Sequence, residues 1–166
     1  MSTSDEEAVE RHAVVITCST RAARGVYADR AGPLIVAAAR SWGLRVAEPV
    51  VVPDGPEVDT AMRRAIDAGV HLLVTTGGTG ISPTDRTPDQ TMRLIDRQIR
   101  GIAEAIRAAG VAAGVPTAML SRGIAGVAGR TLVVNLPGSV GGVRDGLAVL
   151  EAVVPHALDQ IAGGDH

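Results

Sequence analysis

The sequence predicts an α/β domain, a three-layer αβα sandwich around a mostly parallel central sheet. Three observations predict it. The runs Ala13–Cys18, Val70–Thr75 and Thr131–Leu136 are short, apolar and rich in β-branched residues, as buried strands are. Between such runs lie segments whose apolar residues recur at helical spacing. The two kinds alternate, which is the pattern of parallel strands joined by crossover helices that cover both faces.

Taken in order, Ala13–Cys18 is the first strand and opens into a polar loop, Ser19–Asp29. Ala31–Trp42 is helical, with Gly32-Pro33 at its start and Gly43 as its stop signal. Leu44–Val52 follows as a strand, ended by the turn Pro53-Asp54-Gly55. Val58–Ala68 has helical periodicity and closes on Gly69. The strand Val70–Thr75, most apolar at Leu72-Leu73-Val74, runs straight into a glycine loop. Pro88–Asp96 and Ile99–Ala109 read as helices. After the strand Thr131–Leu136, the turn Pro137-Gly138-Ser139 leads into a helix through about Leu150, and a last helix covers roughly His156–Ile161. No repeat or linker divides the chain, so residues 11–163 are expected to form one domain behind a polar, acidic, disordered leader, 1–10.

Composition excludes several classes of function. With a formal charge of −2, one Trp, one Tyr and no Phe, the chain has neither a basic field nor stacking platforms, so nucleic acid is not an expected partner. No apolar run is long enough to span a bilayer, and the acidic start is unlike a signal peptide. A lone cysteine, Cys18, fits a reducing compartment, so the expected location is cytoplasmic. All 16 basic residues are arginine. Without lysine there is no Walker A phosphate loop and no Schiff-base chemistry.

The most informative stretch is Thr75-Thr76-Gly77-Gly78-Thr79-Gly80, followed by Asp85 and the helix start Thr87-Pro88-Asp89. Glycines let backbone N–H groups approach an anion closely. Gly78-Thr79-Gly80 begins a dinucleotide fingerprint, but Pro83 occupies the place of its third glycine. In a parallel sheet the carboxyl ends of strands share one edge, where ligands bind. Four segments end there: Cys18-Ser19-Thr20, Pro53-Asp54, Thr76–Asp85 and Pro137-Gly138-Ser139. Alone, Asp54 reads as a turn residue and Asp85 as a loop residue or helix cap. Together they could hold Mg²⁺ through oxygen and leave positions for a nucleotide's phosphates. Ser139 is a helix N-cap or a phosphate ligand, and Arg122 grips an anion or forms a surface ion pair. His12, His71, His156 and His166 have no metal-site spacing, and Cys18 reads as a small buried hydrophobe.

Several motifs in one order resemble a known family. Thr75 to Gly80, Asp85-Arg86-Thr87-Pro88-Asp89 and the later Leu136-Pro137-Gly138-Ser139 are similar to the molybdenum-cofactor biosynthesis fold of the MoaB/Mog proteins and the gephyrin G domain. Gly25 to Pro33, Val51-Val52-Pro53-Asp54 and Leu120-Ser121-Arg122-Gly123 match further segments of that family, so the likeness runs from about Val14 to Leu158. It implies a molybdopterin adenylyltransferase, which joins molybdopterin to ATP with Mg²⁺ and releases pyrophosphate. A non-catalytic molybdopterin-binding or scaffold paralogue is the alternative. By motif match, Asp54 and Asp85 are the catalytic, metal-holding carboxylates. Thr76, Gly77, Gly78, Thr79 and Gly80 cradle phosphates, and Pro137, Gly138 and Ser139 line the pterin pocket, with Ser19 and Arg122 beside them. The resemblance also implies a homotrimer or hexamer and a downstream metal-insertion protein. Two departures stand out: Val140-Gly141 where the family usually has Pro-Lys, and Thr20 where many members carry Asp.

Overall fold

The computed structural model describes residues 9–164, and the expectation of a leader at 1–10 falls mostly outside them. Its sheet has seven strands. β1 (His12–Cys18) pairs in parallel with β2 (Arg45–Val46) and β3 (Val50–Val52) on one side and with β4 (Leu72–Thr76) on the other. β4 pairs in parallel with β7 (Thr131–Leu136). The far edge is antiparallel: β6 (Ala125–Ala128) runs against β7, and β5 (Arg97–Gln98) against β6. The α/β class and the mostly parallel sheet are therefore as the sequence predicts.

Strand alternation assigns each side chain to one of two cores. Ala13 and Val15 of β1, Leu72 and Val74 of β4, and Leu132, Val134 and Leu136 of β7 face α2 (Ala31–Ser41), α5 (Arg100–Ala112) and α6 (Val140–Ile161). Ile16, Cys18, Leu73 and Val133 point the other way, onto α3 (Pro56–Asp67), with Leu94 of α4 (Thr87–Leu94) packed beside them. These are the three layers.

Several expectations are corrected. Leu44–Val52 is not one strand, because the chain leaves the sheet at Ala47–Pro49 and Pro49 has no N–H to give a ladder. The polar loop Ser19–Asp29 contains a short helix, α1 (Thr20–Ala23), whose N-cap is Ser19. The two C-terminal helices are a single one, α6, with Pro155 inside it. Pro155 and Glu151, whose carbonyl loses its partner, are both exposed, so water can take up that carbonyl. The buried stripe Val143, Gly146, Leu150, Val154, Leu158 continues across the proline and holds the helix together.

Candidate active site

Register brings the predicted segments to one edge. Cys18 lies opposite Val52, Thr17 opposite Thr76, and Thr76 opposite Leu136, so β1, β3, β4 and β7 end level with one another. The loops that follow are then tied together. Ser19 N donates to Val52 O at 2.9 Å, Gly77 N to Leu136 O at 3.1 Å, and Thr76 Oγ1 to Pro137 O at 2.7 Å. Gly77 and Gly78 both have positive φ, 94° and 64°, which turns the chain back across the sheet edge. Thr87 N then reaches Gly78 O at 3.1 Å, fixing the start of α4 against the loop.

The glycine loop separates two clefts. The first, of about 940 Å³, is lined by Ser19, Asp54, Thr76, Gly77, Gly78 and Gly138 among the sequence-predicted residues. The second, of about 470 Å³, takes Thr79, Gly80, Pro137 and Ser139, together with Ile106, Val115 and Leu120. Ser139 is the N-cap of α6, its Oγ accepting from Gly142 N at 3.1 Å, and it is exposed on the cleft wall as well. The cap and the wall position are thus compatible.

Asp54 and Asp85 meet the loop at different points. Asp54 Oδ1 lies where a Cβ on Gly78 would come within 3.1 Å, and Asp85 Oδ2 where a Cβ on Gly80 would come within 2.8 Å. Both carboxylates therefore pack against the glycine cradle. Asp54 faces the first cleft and accepts only long hydrogen bonds there, from Thr20 N at 3.4 Å and Thr20 Oγ1 at 3.3 Å, both on Oδ2. Where many relatives in the resemblance carry a second acid, Thr20 thus sets a hydroxyl beside Asp54. Asp85 is folded onto its own loop, accepting from Ser82 N at 3.1 Å, and lines neither cleft; Thr84 lines the first in its place. Carboxylate oxygens are the donor type that Mg²⁺ takes when substrate phosphates complete its shell; Asp54 offers one to the first cleft, and Asp85 offers another from beside Gly80, turned towards Ser82 N.

Arg122 lines neither cleft. Its guanidinium is turned onto the loop, with Nε to Gly80 O at 2.9 Å, Nη2 to Asp85 O at 2.6 Å and a two-pronged pair with Asp89 at 3.1 Å on each prong. The Arg122 hydrogen bond holds the Asp89 carboxyl below its usual range, and Asp89 raises Arg122 in return.

The structure adds residues that sequence reasoning missed. Asp29 lines the first cleft, accepting from Thr17 Oγ1 at 2.8 Å and Gly32 N at 3.0 Å. A Cβ on Gly32 would come closer than 3.0 Å to Asp29, Thr17 and Pro49, so this corner requires glycine. Arg21, Arg24 and Arg30 also line the first cleft, are exposed, and make no ion pair among the described residues. Only their crowding around the first loop could have singled them out. Tyr27 joins them, its hydroxyl 2.9 Å from Ser19 Oγ. Cys18 lies beneath, 3% exposed; burial pushes its thiol up to about 12, with Thr87 opposing and Asp54 adding. The thiol stays protonated and is no nucleophile.

A mostly parallel sheet whose strand ends carry a glycine cradle, two acids and exposed arginines is an α/β arrangement with the chemistry to take a phosphate. Residues 14–156 match the family model described as a probable molybdopterin binding domain, and the chain belongs to that family. It is 39% identical to the molybdenum cofactor biosynthesis bifunctional protein of Synechococcus elongatus, over 93% of this chain and 48% of that protein. It is 36% identical to the molybdopterin adenylyltransferase of Pyrococcus furiosus, over 87% of each. The chain thus spans about half of the first relative and most of the second. Among solved structures, the molybdopterin biosynthesis Mog protein of Mycobacterium ulcerans superposes with a TM-score of 0.88 at 53% identity, covering 94% of this chain and 99% of that one. The α/β fold is that of this Mog neighbour.

Proposed function

We propose that this chain is a molybdopterin adenylyltransferase of molybdenum cofactor biosynthesis, active as one domain spanning residues 11–163. The observation that carries this reading is the pair of unlike clefts meeting at one glycine loop. One is rimmed by Arg21, Arg24 and Arg30, suited to a triphosphate; the other includes Ile106, Val115 and Leu120 and is the more apolar of the two. A reaction that condenses two phosphorylated molecules needs two such sites sharing one phosphate cradle.

In the proposed reaction, a phosphate oxygen of molybdopterin attacks the α-phosphorus of ATP. The bond from that phosphorus to the bridging oxygen breaks, and pyrophosphate leaves with the bonding electrons. No protein nucleophile is needed, in keeping with the protonated, buried Cys18. The protein's work is positioning and charge neutralisation. Backbone N–H groups of Gly78 to Gly80 would face the phosphates, the Gly77 N–H being committed to Leu136 O; the three arginines would draw the anion in, and Asp54 and Asp85 would hold Mg²⁺. When bound, Mg²⁺ supplies charge to the triphosphate and its leaving group. The test is to incubate the purified protein with molybdopterin, ATP and Mg²⁺ and to measure adenylyl-molybdopterin and pyrophosphate. Equimolar products support the reading.

Val140-Gly141 favours a second reading, a molybdopterin-binding or scaffold paralogue without turnover. Val140 reaches the first cleft without a charge, and Gly141 lines the second. Molybdopterin binding with no product would select it. In either case we place the protein in the cytoplasm, upstream of a metal-insertion partner; among the described residues no helix is long and apolar enough to cross a membrane. A homotrimer, or a hexamer of trimers, is also proposed. Val111 near the end of α5, and Val115, Met119 and Leu120 in the segment after it, are exposed and offer an apolar surface for such contacts. Light scattering coupled to size exclusion tests this, and a monomer at micromolar concentration would sink it.

A further inference from the structure

We propose that Arg122 is a positioning residue for the reaction proposed above, fixing the loop from Thr79 to Asp89 and with it the place of the Asp85 carboxylate. The inference rests on that reading. Between Gly80 and Arg86 the chain has no helix or strand, and residues 81–84 are exposed. Its internal hydrogen bonds are few: Asp85 N to Ser82 O at 2.9 Å, Ser82 N to Asp85 Oδ2 at 3.1 Å and a long one between Ser82 Oγ and Thr84 Oγ1 at 3.5 Å. Thr87 N to Gly78 O closes the base of the loop, and Arg122 ties its two sides together. Its backbone N–H donates to Thr79 O at 2.7 Å, and its side chain to Gly80 O, Asp85 O and both oxygens of Asp89. One guanidinium thus collects both ends of the loop, including the carbonyl of Asp85 itself.

The anchor is held in turn. Arg107 of α5 donates from Nη1 to Ser121 O at 3.3 Å and to Gly123 O at 2.8 Å, gripping the residues on either side of Arg122. The loop that carries Asp85 is therefore fastened to a core helix through two arginines in series. Planar, forked donors can serve several carbonyls and a carboxylate at once, which an ammonium cannot. With four of its five side-chain N–H donors committed to the loop, and lining neither cleft, Arg122 acts on the reaction through Asp85 rather than by touching a substrate.

Two measurements test this on the full chain, comparing wild type with Arg122→Met, Arg122→Lys and the milder Asp89→Asn. In hydrogen–deuterium exchange, amides of residues 79–89 should exchange roughly tenfold faster or more in Arg122→Met, with β4 and β7 unchanged. Arg122→Lys should resemble Arg122→Met, and Asp89→Asn should show a smaller rise in the same segment. In the adenylylation assay, kcat should fall on the order of 10- to 100-fold, with the Mg²⁺ requirement raised and both KM values nearly unchanged. Unaltered exchange across 79–89 would overturn the proposal. A raised KM for one substrate at constant kcat would also overturn it, making Arg122 a direct ligand. A wild-type protein without turnover would defeat the proposed function, and the exchange experiment would then decide the role of Arg122 in the loop by itself.

Discussion

Replacing Gly77 by alanine tests whether the cradle depends on close backbone approach. Gly77 has φ 94°, and a Cβ there would fall closer than 3.0 Å to the carbonyl oxygen of Cys18. That oxygen belongs to β1, in the middle of a parallel sheet, and cannot swing aside as a side chain would. A suitable control is Gly69→Ala, where φ is 75° and nothing lies within 4 Å of the added Cβ. Both variants carry the cost of a left-handed non-glycine residue, about 1–2 kcal/mol. Both also gain equally from a stiffer unfolded chain. Gly77→Ala alone adds the overpacking term of roughly 1–3 kcal/mol. The sums are about 1–2 kcal/mol for Gly69→Ala and about 2–5 kcal/mol for Gly77→Ala. For a chain of this size, 1 kcal/mol lowers the melting temperature by about 2–4 °C. Thermal unfolding followed by circular dichroism should therefore give falls of about 2–8 °C and about 4–20 °C respectively. A Gly77→Ala protein that melts no lower than Gly69→Ala would refute the reasoning, because the loop would then have room the geometry denies.

Three further predictions follow from the site and its surroundings. Asp54→Asn and Asp85→Asn should each keep the fold, since neither side chain is in the core, yet lower adenylylation by roughly 10²–10³-fold; turnover with unchanged Mg²⁺ dependence would remove that residue from the mechanism. Arg24→Ala and Arg30→Ala should each raise the KM for ATP by roughly two- to five-fold, as for exposed charges, and flatten its salt dependence. An unaltered KM and salt slope would exclude them from recruitment. His71, accepting from His12 N at 3.1 Å, is held below its ordinary value of about 6.5 by burial first, then by Arg11, His12 and Arg130. The unfolded chain then binds a proton that the folded one resists. Stability from this group is complete above about pH 6.5 and is lost as pH falls towards the folded pKa. Melting curves from about pH 7.5 to about pH 5.5 should slope less in His71→Gln than in wild type, and equal slopes would contradict the assignment.

How much was legible depended on whether a residue's role is local. β1, β4 and β7 announce themselves because they are buried on both faces and rich in Val, Leu, Ile and Thr. β6 does not: Ala125-Gly126-Val127-Ala128 has little strand propensity, and Gly126 is needed because a Cβ there would come closer than 3.0 Å to Arg97 O and Ile95. The continuity of α6 through Pro155 is hidden because the sequence does not reveal that the stripe on its far side packs in the same core. The glycine loop, Asp54 and the Pro137–Ser139 turn were readable, since strand ends in a parallel sheet must share an edge. The inward fold of Asp85 and the cluster of Arg21, Arg24 and Arg30 were not, since both depend on how loops fold over that edge.

The absence of lysine acquires a physical sense from the two ways arginine is used around the loop. Arg107 and Arg122 point their forks at backbone carbonyls, where several donors in one plane are required. Arg21, Arg24 and Arg30 stand at the mouth of the first cleft without ion-pair partners among the described residues, where only positive charge is required. The two groups should therefore differ under one substitution. Arg24→Lys keeps its charge at neutral pH and should leave the KM for ATP within about twofold of wild type, because an ammonium is also a good phosphate partner. Arg122→Lys keeps the same charge but cannot bridge Gly80 O, Asp85 O and the Asp89 carboxylate together. It should lose turnover nearly as far as Arg122→Met does. Steady-state kinetics of the two lysine variants side by side decide the matter. Equal behaviour would mean that charge alone accounts for both groups, and that the forked geometry at Arg122 has no part in setting the loop.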